Sequence, residues 1–417
     1  MRLPFRLDDS RLVRALPFVL GVAAFAIAAR NLIGSYDDLG IYLDIARELW
    51  HGTEDLYRLR PHGTAWAYPP CAALPFAALL AIAGDAGARW LWCLGLGVAT
   101  ALLAIDLRTA MRAVGGLSPW RWLAFGALFQ RFVAQNLTHG QLSLWVGVCV
   151  LRGVVRLQQG RDVRAGLWLG AAAALKLTPV AFVLALPFMG RPRAALAQLA
   201  AVLAAVLLLP WPLLGTARHC VLLQQFDRAV LAPVAGAGTF TVVTDHHAGP
   251  SVSGTLDYLL QPLAADDRGH TVNVLDLDTH TLSVVKAAWL AAILAVLIAW
   301  GLRAWRLPPA RRLAEQSAAV MLAIAFTSPL TRVYHLAGAL LPGALFCRGP
   351  RGRRDVLWWA AAAALLLSMT LRQRNLLGET LWRALDLGGL LHFALVAVAV
   401  WLCAACRSTP AAAEEAT

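Results

Sequence analysis

The chain has 417 residues, of which 59% are hydrophobic and 15% charged, with a mean hydropathy of +0.62. Soluble domains carry about 25% charged residues, so an ordinary water-soluble enzyme is excluded. The net charge of +13 is uneven: residues 31–68 hold six acids and three bases, residues 216–280 seven acids and three bases, and the remainder carries +20.

Basic residues gathered in some connections and kept out of others follow the positive-inside rule, so they set topology and point to no nucleic-acid partner. The apolar residues form blocks of roughly 15 to 25, the length that crosses about 30 Å of hydrocarbon as a helix. Their Leu, Ala and Val runs lack the alternation of β-barrel strands. The expected fold is all-α: a polytopic membrane protein, one integral domain over residues 1–417, with about 10 to 12 transmembrane helices.

Arg2, Arg6, Arg11 and Arg14 precede an apolar run from Ala15 to Ala29, read as an uncleaved first span rather than a signal peptide. Residues 35–68 form a first outer loop. Within it Leu39, Tyr42, Leu43, Ala46, Leu49 and Trp50 recur at helical spacing opposite Asp44, Arg47 and Glu48, which predicts an amphipathic helix at the interface. His51-Gly52 ends that helix, and Tyr68-Pro69-Pro70 sets an extended approach to the next span.

Further spans are expected at 69–84, 88–105, 119–135, 141–156, 193–215, 281–304, 355–371 and 381–403. Placing Arg108, Arg112 and Arg121 inside requires an odd number of crossings between Tyr68 and Asp106, where two apolar runs occur. Either one run is a broken or half span, or those arginines lie outside.

Residues 165–189 have arginines on both flanks and Lys176, Thr178 and Pro179 in the middle, so the segment is expected to enter the membrane and return. Residues 313–347 behave alike around Ser328, Pro329, Arg332 and His335. His139-Gly140-Gln141 forms a third polar break, and residues 216–280 a large outer loop. The polar turns and acidic loops are read on one face, outside the cytoplasm. The acidic stretches hold one of the seven cysteines, Cys220, so no disulfide staples them, and Cys403-x-x-Cys406 has no second pair to make a metal site.

Several groups are candidates for chemistry. Asp37 and Asp38 open the interfacial helix; an N-cap is the plain reading, a carboxylate removing a proton from a hydroxyl the functional one. Lys176 would cost about 2.5 to 3.5 kcal/mol at the centre of a span, so it either faces an anion or cavity or snorkels from a helix end. Arg332 and His335, beside Ser328, are either phosphate donors or solvated loop residues. Gln141 is either a ligand or a helix-end polar residue. His246 and His247, with Asp245 and Asp257, match no standard metal spacing.

These residues resemble the motifs of glycosyltransferase family 87, of the GT-C superfamily. Asp38-Leu39-Gly40-Ile41-Tyr42, Gly52 to Tyr57, Tyr68-Pro69-Pro70, Gly140-Gln141, Lys176-Leu177-Thr178-Pro179 and Ser328 to His335 stand in the family's order. Gly249-Pro250-Ser251 replaces an Asn-Gln-Ser stretch, and Arg332-Val333-Tyr334-His335 stands where a tryptophan before a histidine pair is usual. The resemblance implies a polyprenyl-phosphate sugar donor, commonly mannose, and a lipid-linked or glycan acceptor on the outer face of the cell membrane. Arabinofuranose is the alternative sugar. It further implies inversion with Asp38 as base, Lys176, Arg332 and His335 on the donor phosphate, and Tyr42, Tyr68, Gln141, Thr178 and Ser328 around the substrate. No cofactor is expected, with a divalent metal left open. A transporter or flippase is the rival class, for which the chain lacks the usual internal repeat.

Overall fold

The computed structural model describes residues 11–52, 55–58, 66–234, 251–262, 273–328, 339–350, 352, 354–371, 377–378, 381, 385 and 389–406. Among them every regular element is helical. Four helices are long and apolar enough to cross a membrane, Ala15–Leu32, Pro70–Arg112, Pro192–Leu214 and Thr279–Arg306, with shorter apolar helices at Thr178–Phe188, Val356–Leu371 and Leu390–Ala405. The chain folds into two compact units.

The first unit comprises Met1–Leu107, Phe132–Gly153 and Asp162–His246. It opens with α1 (Arg11–Leu32) and α2 (Asp38–His51). Helix α2 buries Leu39, Gly40, Tyr42, Leu43, Ile45, Ala46 and Leu49. Trp50, expected on that face, is instead 64% exposed in the last turn, and the helix ends at Gly52 in the left-handed region (φ 91°). Arg218 caps this end, donating from Nη2 to the Glu48 and Leu49 carbonyls in the last turn.

Helix α3 (Leu74–Arg112) is two helices meeting at Gly84 (φ 64°, ψ −174°). The limb before the break has about ten residues, or ~15 Å, half of the hydrocarbon thickness; the limb after it has about 28 and is long enough to cross alone. Of the two apolar runs, only the second forms a limb long enough to cross by itself. Helices α4 (Pro119–His139) and α5 (Ser143–Gln158) follow, separated by Gly140 at φ 69°.

The chain path over residues 165–189 runs out and doubles back. Helix α6 (Asp162–Leu175) ends at a 3-10 turn, Thr178–Val180; α7 (Ala181–Phe188) returns, and α8 (Pro192–Leu203) then runs alongside α6. An ion pair from Arg191 Nη1 to Asp162 Oδ1 at 3.0 Å joins the two feet of the excursion. Gly166 and Gly170 pack on Ala194, Ala197 and Ala201; a Cβ at Gly170 would lie 2.5 Å from that of Ala201. This is the small-x-x-x-small pairing by which membrane helices approach closely. The stretch read as a large loop begins with a further helix, α9 (Thr216–Phe226), continued by a π-helical turn at Asp227–Leu231.

The second unit comprises Arg108–Arg131, Val154–Arg161 and His247–Thr417. It holds α10 (Val252–Leu260), α11 (Thr279–Arg303), α12 (Pro309–Thr327), α13 (Leu340–Phe346), α14 (Val356–Leu366) and α15 (Leu390–Ala405). Tryptophan side chains pair polar groups in its interior. Trp300 Nε1 donates to the buried Glu315 carboxylate at 2.9 Å, Trp289 Nε1 to His392 Nε2 at 2.9 Å, and Trp401 Nε1 to Asp355 Oδ2 at 2.7 Å. Phe346 stacks on Trp358 with centroids 5.2 Å apart.

Candidate active site in the first unit

The N-terminus of α2 carries two adjacent carboxylates. Asp37 occupies the N-cap position in extended conformation, yet its side chain makes no capping bond; its Oδ1 lies 3.4 Å from His139 Nδ1 instead. The plain capping reading therefore fails for Asp37, and both acids point to other partners. Asp38, in the first helical turn, accepts a hydrogen bond on Oδ2 from Gln141 Nε2.

Gln141 reaches Asp38 because of Gly140. The left-handed backbone there reverses the chain between α4 and α5, and an added Cβ would lie 2.9 Å from Leu39 Cβ, so only glycine permits the approach. The Gly140 carbonyl is held by Trp92 Nε1 at 2.8 Å. Gln141 is 2% exposed and uses both ends of its amide: while Nε2 serves Asp38, Oε1 accepts from Tyr42 OH at 2.9 Å.

Tyr42 belongs to an aromatic cluster. It meets Trp66 at 5.8 Å, Tyr68 at 5.9 Å and Phe76 at 4.9 Å, and Phe76 in turn packs on Trp92 at 4.5 Å. Edge and tilted pairs of this kind contribute about 0.5 to 1.5 kcal/mol each beyond burial, which makes the cluster a rigid wall. Tyr57 OH donates to the Tyr68 carbonyl at 2.8 Å, and burial holds its phenol well above the usual tyrosine range, so it remains a donor.

Lys176 enters from the turn after α6. Its ammonium lies 3.3 Å from Ser143 Oγ and 5.7 Å from the centroid of the Tyr68 ring, and it interacts electrostatically with the Asp38 carboxylate. The turn is held by protein groups, since Gln198 Nε2 donates to the Pro179 carbonyl at 2.9 Å and Cys71 Sγ to the Ala174 carbonyl at 3.4 Å. Irregular backbone at membrane depth requires such partners.

Five of the residues singled out from sequence, Asp38, Tyr42, Tyr68, Gln141 and Lys176, thus form one connected group. Thr178 is half-buried at the start of the 3-10 turn, two residues beyond Lys176. Ser328, in the second unit, is half-buried at the C-cap of α12. Arg332 and His335, with Pro329 before them, lie outside the described residues, as do Asp245, His246 and His247. Of that histidine group the described member, Asp257, is paired with Lys286 and Ser253. Sequence reasoning missed Trp66, Phe76, Trp92, Ser143 and the Asp37–His139 contact. The aromatic density between residues 66 and 92 was the available signal for the first three.

The model of glycosyltransferase family 87 matches residues 66–331, more than half of the chain. The chain belongs to this family. The match contains Tyr68, Gln141, Lys176, Thr178 and Ser328, while Asp38 and Tyr42 precede it and Arg332 and His335 follow it. Among solved structures, ArnT from Cupriavidus metallidurans bound to undecaprenyl phosphate is similar at 14% identity and TM-score 0.44, over 95% of this chain and 78% of that one. The Archaeoglobus fulgidus oligosaccharyltransferase in its apo form is similar at 13% identity and TM-score 0.40, over 95% of this chain and 56% of that one. A comparison with curated proteins finds no match.

Proposed function

We propose that this family 87 protein transfers a sugar, mannose in the first instance, from a polyprenyl phosphate to a cell-envelope glycolipid or glycan on the outer face of the cell membrane, with Asp38 as general base. The observation that carries the reading is the connected group in which the Asp38 carboxylate accepts from Gln141 and interacts electrostatically with the Lys176 ammonium, with Tyr42 bonded to Gln141 and the Tyr68 ring next to Lys176.

The geometry fits a single displacement. An amide donor on Asp38 orients the carboxylate and favours its ionised, proton-accepting form. As the acceptor hydroxyl loses its proton to Asp38, its oxygen attacks the anomeric carbon from the face opposite the phosphate, and the C–O bond to phosphate breaks. The departing phosphate gains negative charge, which a cation such as Lys176 stabilises; Arg332 and His335 are proposed to share that role. One carboxylate suffices because phosphate leaves without an acid, unlike the two-carboxylate arrangement of retaining glycosidases. Thr178 and Ser328 are proposed contacts to the substrate. Arabinofuranosyl transfer from the same class of donor is the second sugar to test.

The experiment incubates purified protein with radiolabelled polyprenyl-phosphate sugars and membrane glycolipid acceptors, comparing wild type with Asp38→Asn and His335→Ala. Transfer from one donor, lost by at least about a hundredfold in Asp38→Asn, is expected. Near wild-type transfer by Asp38→Asn removes the base, and ion-coupled uptake with no transfer from any donor favours a transporter instead. A chelator arm decides metal dependence.

A further inference from the structure

Tyr36 immediately precedes the paired carboxylates, and its ring lies along α2. It is 58% exposed, and its hydroxyl donates to Asp44 Oδ2 at 2.6 Å, which ties the outer end of the ring to the helix two turns on. The inner face rests on Gly40, where a Cβ would lie 2.8 Å from Tyr36 Cδ2, so any larger residue would push the ring off. A tyrosine held by both end and face, with more than half of its surface still exposed, is an unusual use of a large aromatic side chain.

The carboxylates around the ring add direction. Asp37, Gly40 and Asp44 share one side of α2, and Asp38 sits about 100° round from Asp37. The Asp44 side chain is 30% exposed and that of Asp37 38% exposed. Arg47 and Tyr36 occupy one direction at each Asp44 oxygen, and His139 meets Asp37, while each carboxylate oxygen can accept a second bond.

We propose that Tyr36, with Asp37 and Asp44, is a sugar-binding platform for the acceptor, one helix face away from Asp38. The chemistry favours a neutral hydroxylated ring. The negative face of the phenol attracts the polarised C–H groups of a pyranose, and the two carboxylates accept its hydroxyl protons. The same carboxylates repel a phosphate, so the donor headgroup belongs on the Lys176 side and the acceptor glycan on the Tyr36 side. This rests on the transferase reading above for its kinetic arm, and its binding arm is independent of it.

The test uses an alkyl mannoside as acceptor and the variants Tyr36→Ala, Tyr36→Phe and Gly40→Ala. Tyr36→Ala is expected to raise the acceptor KM about tenfold, with donor KM and kcat at saturating acceptor within about twofold; Tyr36→Phe, which keeps the ring, changes it by less than about threefold. Gly40→Ala is expected to raise acceptor KM as Tyr36→Ala does without loss of thermal stability, because alanine is the better helix former, and this separates displacement of the ring from misfolding. Saturation-transfer NMR of the alkyl mannoside without donor reads binding directly. Equal signals from wild type and Tyr36→Ala overturn the platform whether or not any transfer occurs. A Tyr36→Ala protein altered only in lipid partition would make the ring an interfacial anchor and overturn it equally. Absence of transfer in wild type, with mannoside binding that Tyr36→Ala weakens, would sink the transferase reading and leave the platform standing.

Discussion

Replacing Gln141 by glutamate keeps the shape of the side chain and changes one bond. The amide that donates to Asp38 Oδ2 becomes a second carboxylate at the same place, with Tyr42 OH still available to its other oxygen. Two carboxylates about 4 Å apart repel by about 4 kcal/mol at an effective dielectric constant of ~20. That corresponds to about three pKa units at ~1.36 kcal/mol per unit. Asp38 is half-buried and the Lys176 ammonium acts on it, so solvent and cation screen part of this, and a rise of about one to two units is expected.

The base is active when ionised, so the acid limb of the kcat/KM profile should move to higher pH by about one to two units, with activity recovering at alkaline pH. Gln141→Met removes the same hydrogen bonds without adding charge. It should lower kcat by about 10 to 100-fold through misorientation of Asp38 and move the limb upward by less than Gln141→Glu does, since only the bond favouring the ionised carboxylate is lost. The assay is sugar transfer from about pH 5 to 9 in detergent, with circular dichroism on each variant. A Gln141→Glu profile superimposed on wild type would refute the reasoning, because no reacting carboxylate could then lie beside residue 141.

Lys176→Met should raise the donor KM and lower kcat together, by about tenfold or more, while the acceptor KM stays near wild type; transfer kinetics at varied donor concentration read this, and an effect on acceptor alone would place the phosphate elsewhere. Gly166→Leu should destabilise the α6–α8 pair by about 1 to 3 kcal/mol through overpacking against Ala194 and Ala197, seen as a lower unfolding temperature in detergent. Asp278 accepts from the His280 and Thr281 amides at the start of α11, and the bonds from Thr281, led by its hydroxyl, hold its carboxyl below the usual aspartate range. Its cap therefore contributes above the unfolded aspartate pKa of about 3.9 and fades as pH falls through the lower folded value. Asp278→Ala should lower the unfolding temperature at neutral pH, and the gap to wild type should close in strong acid.

Membrane helices, their approximate ends and the polar breaks between them were legible in the sequence, because run length, helical periodicity and charge placement are local properties. The return of the 165–189 segment was legible for the same reason: arginines flank both ends, and the Arg191–Asp162 ion pair joins its feet. Family motifs also marked Asp38, Gln141 and Lys176 as separate points on the chain. Their meeting was decided only in three dimensions, where Gln141 reaches Asp38 across 103 residues through a left-handed glycine. The break at Gly84 falls where the expected spans 69–84 and 88–105 part, but the angle it sets between the two limbs is a property of the folded backbone alone. The uncapped side chain of Asp37 and the tethered ring of Tyr36 depend on which neighbours compete for each polar group, His139 in one case and Asp44 in the other. Linear spacing selects the residues able to do chemistry, and packing sets which of them face one another.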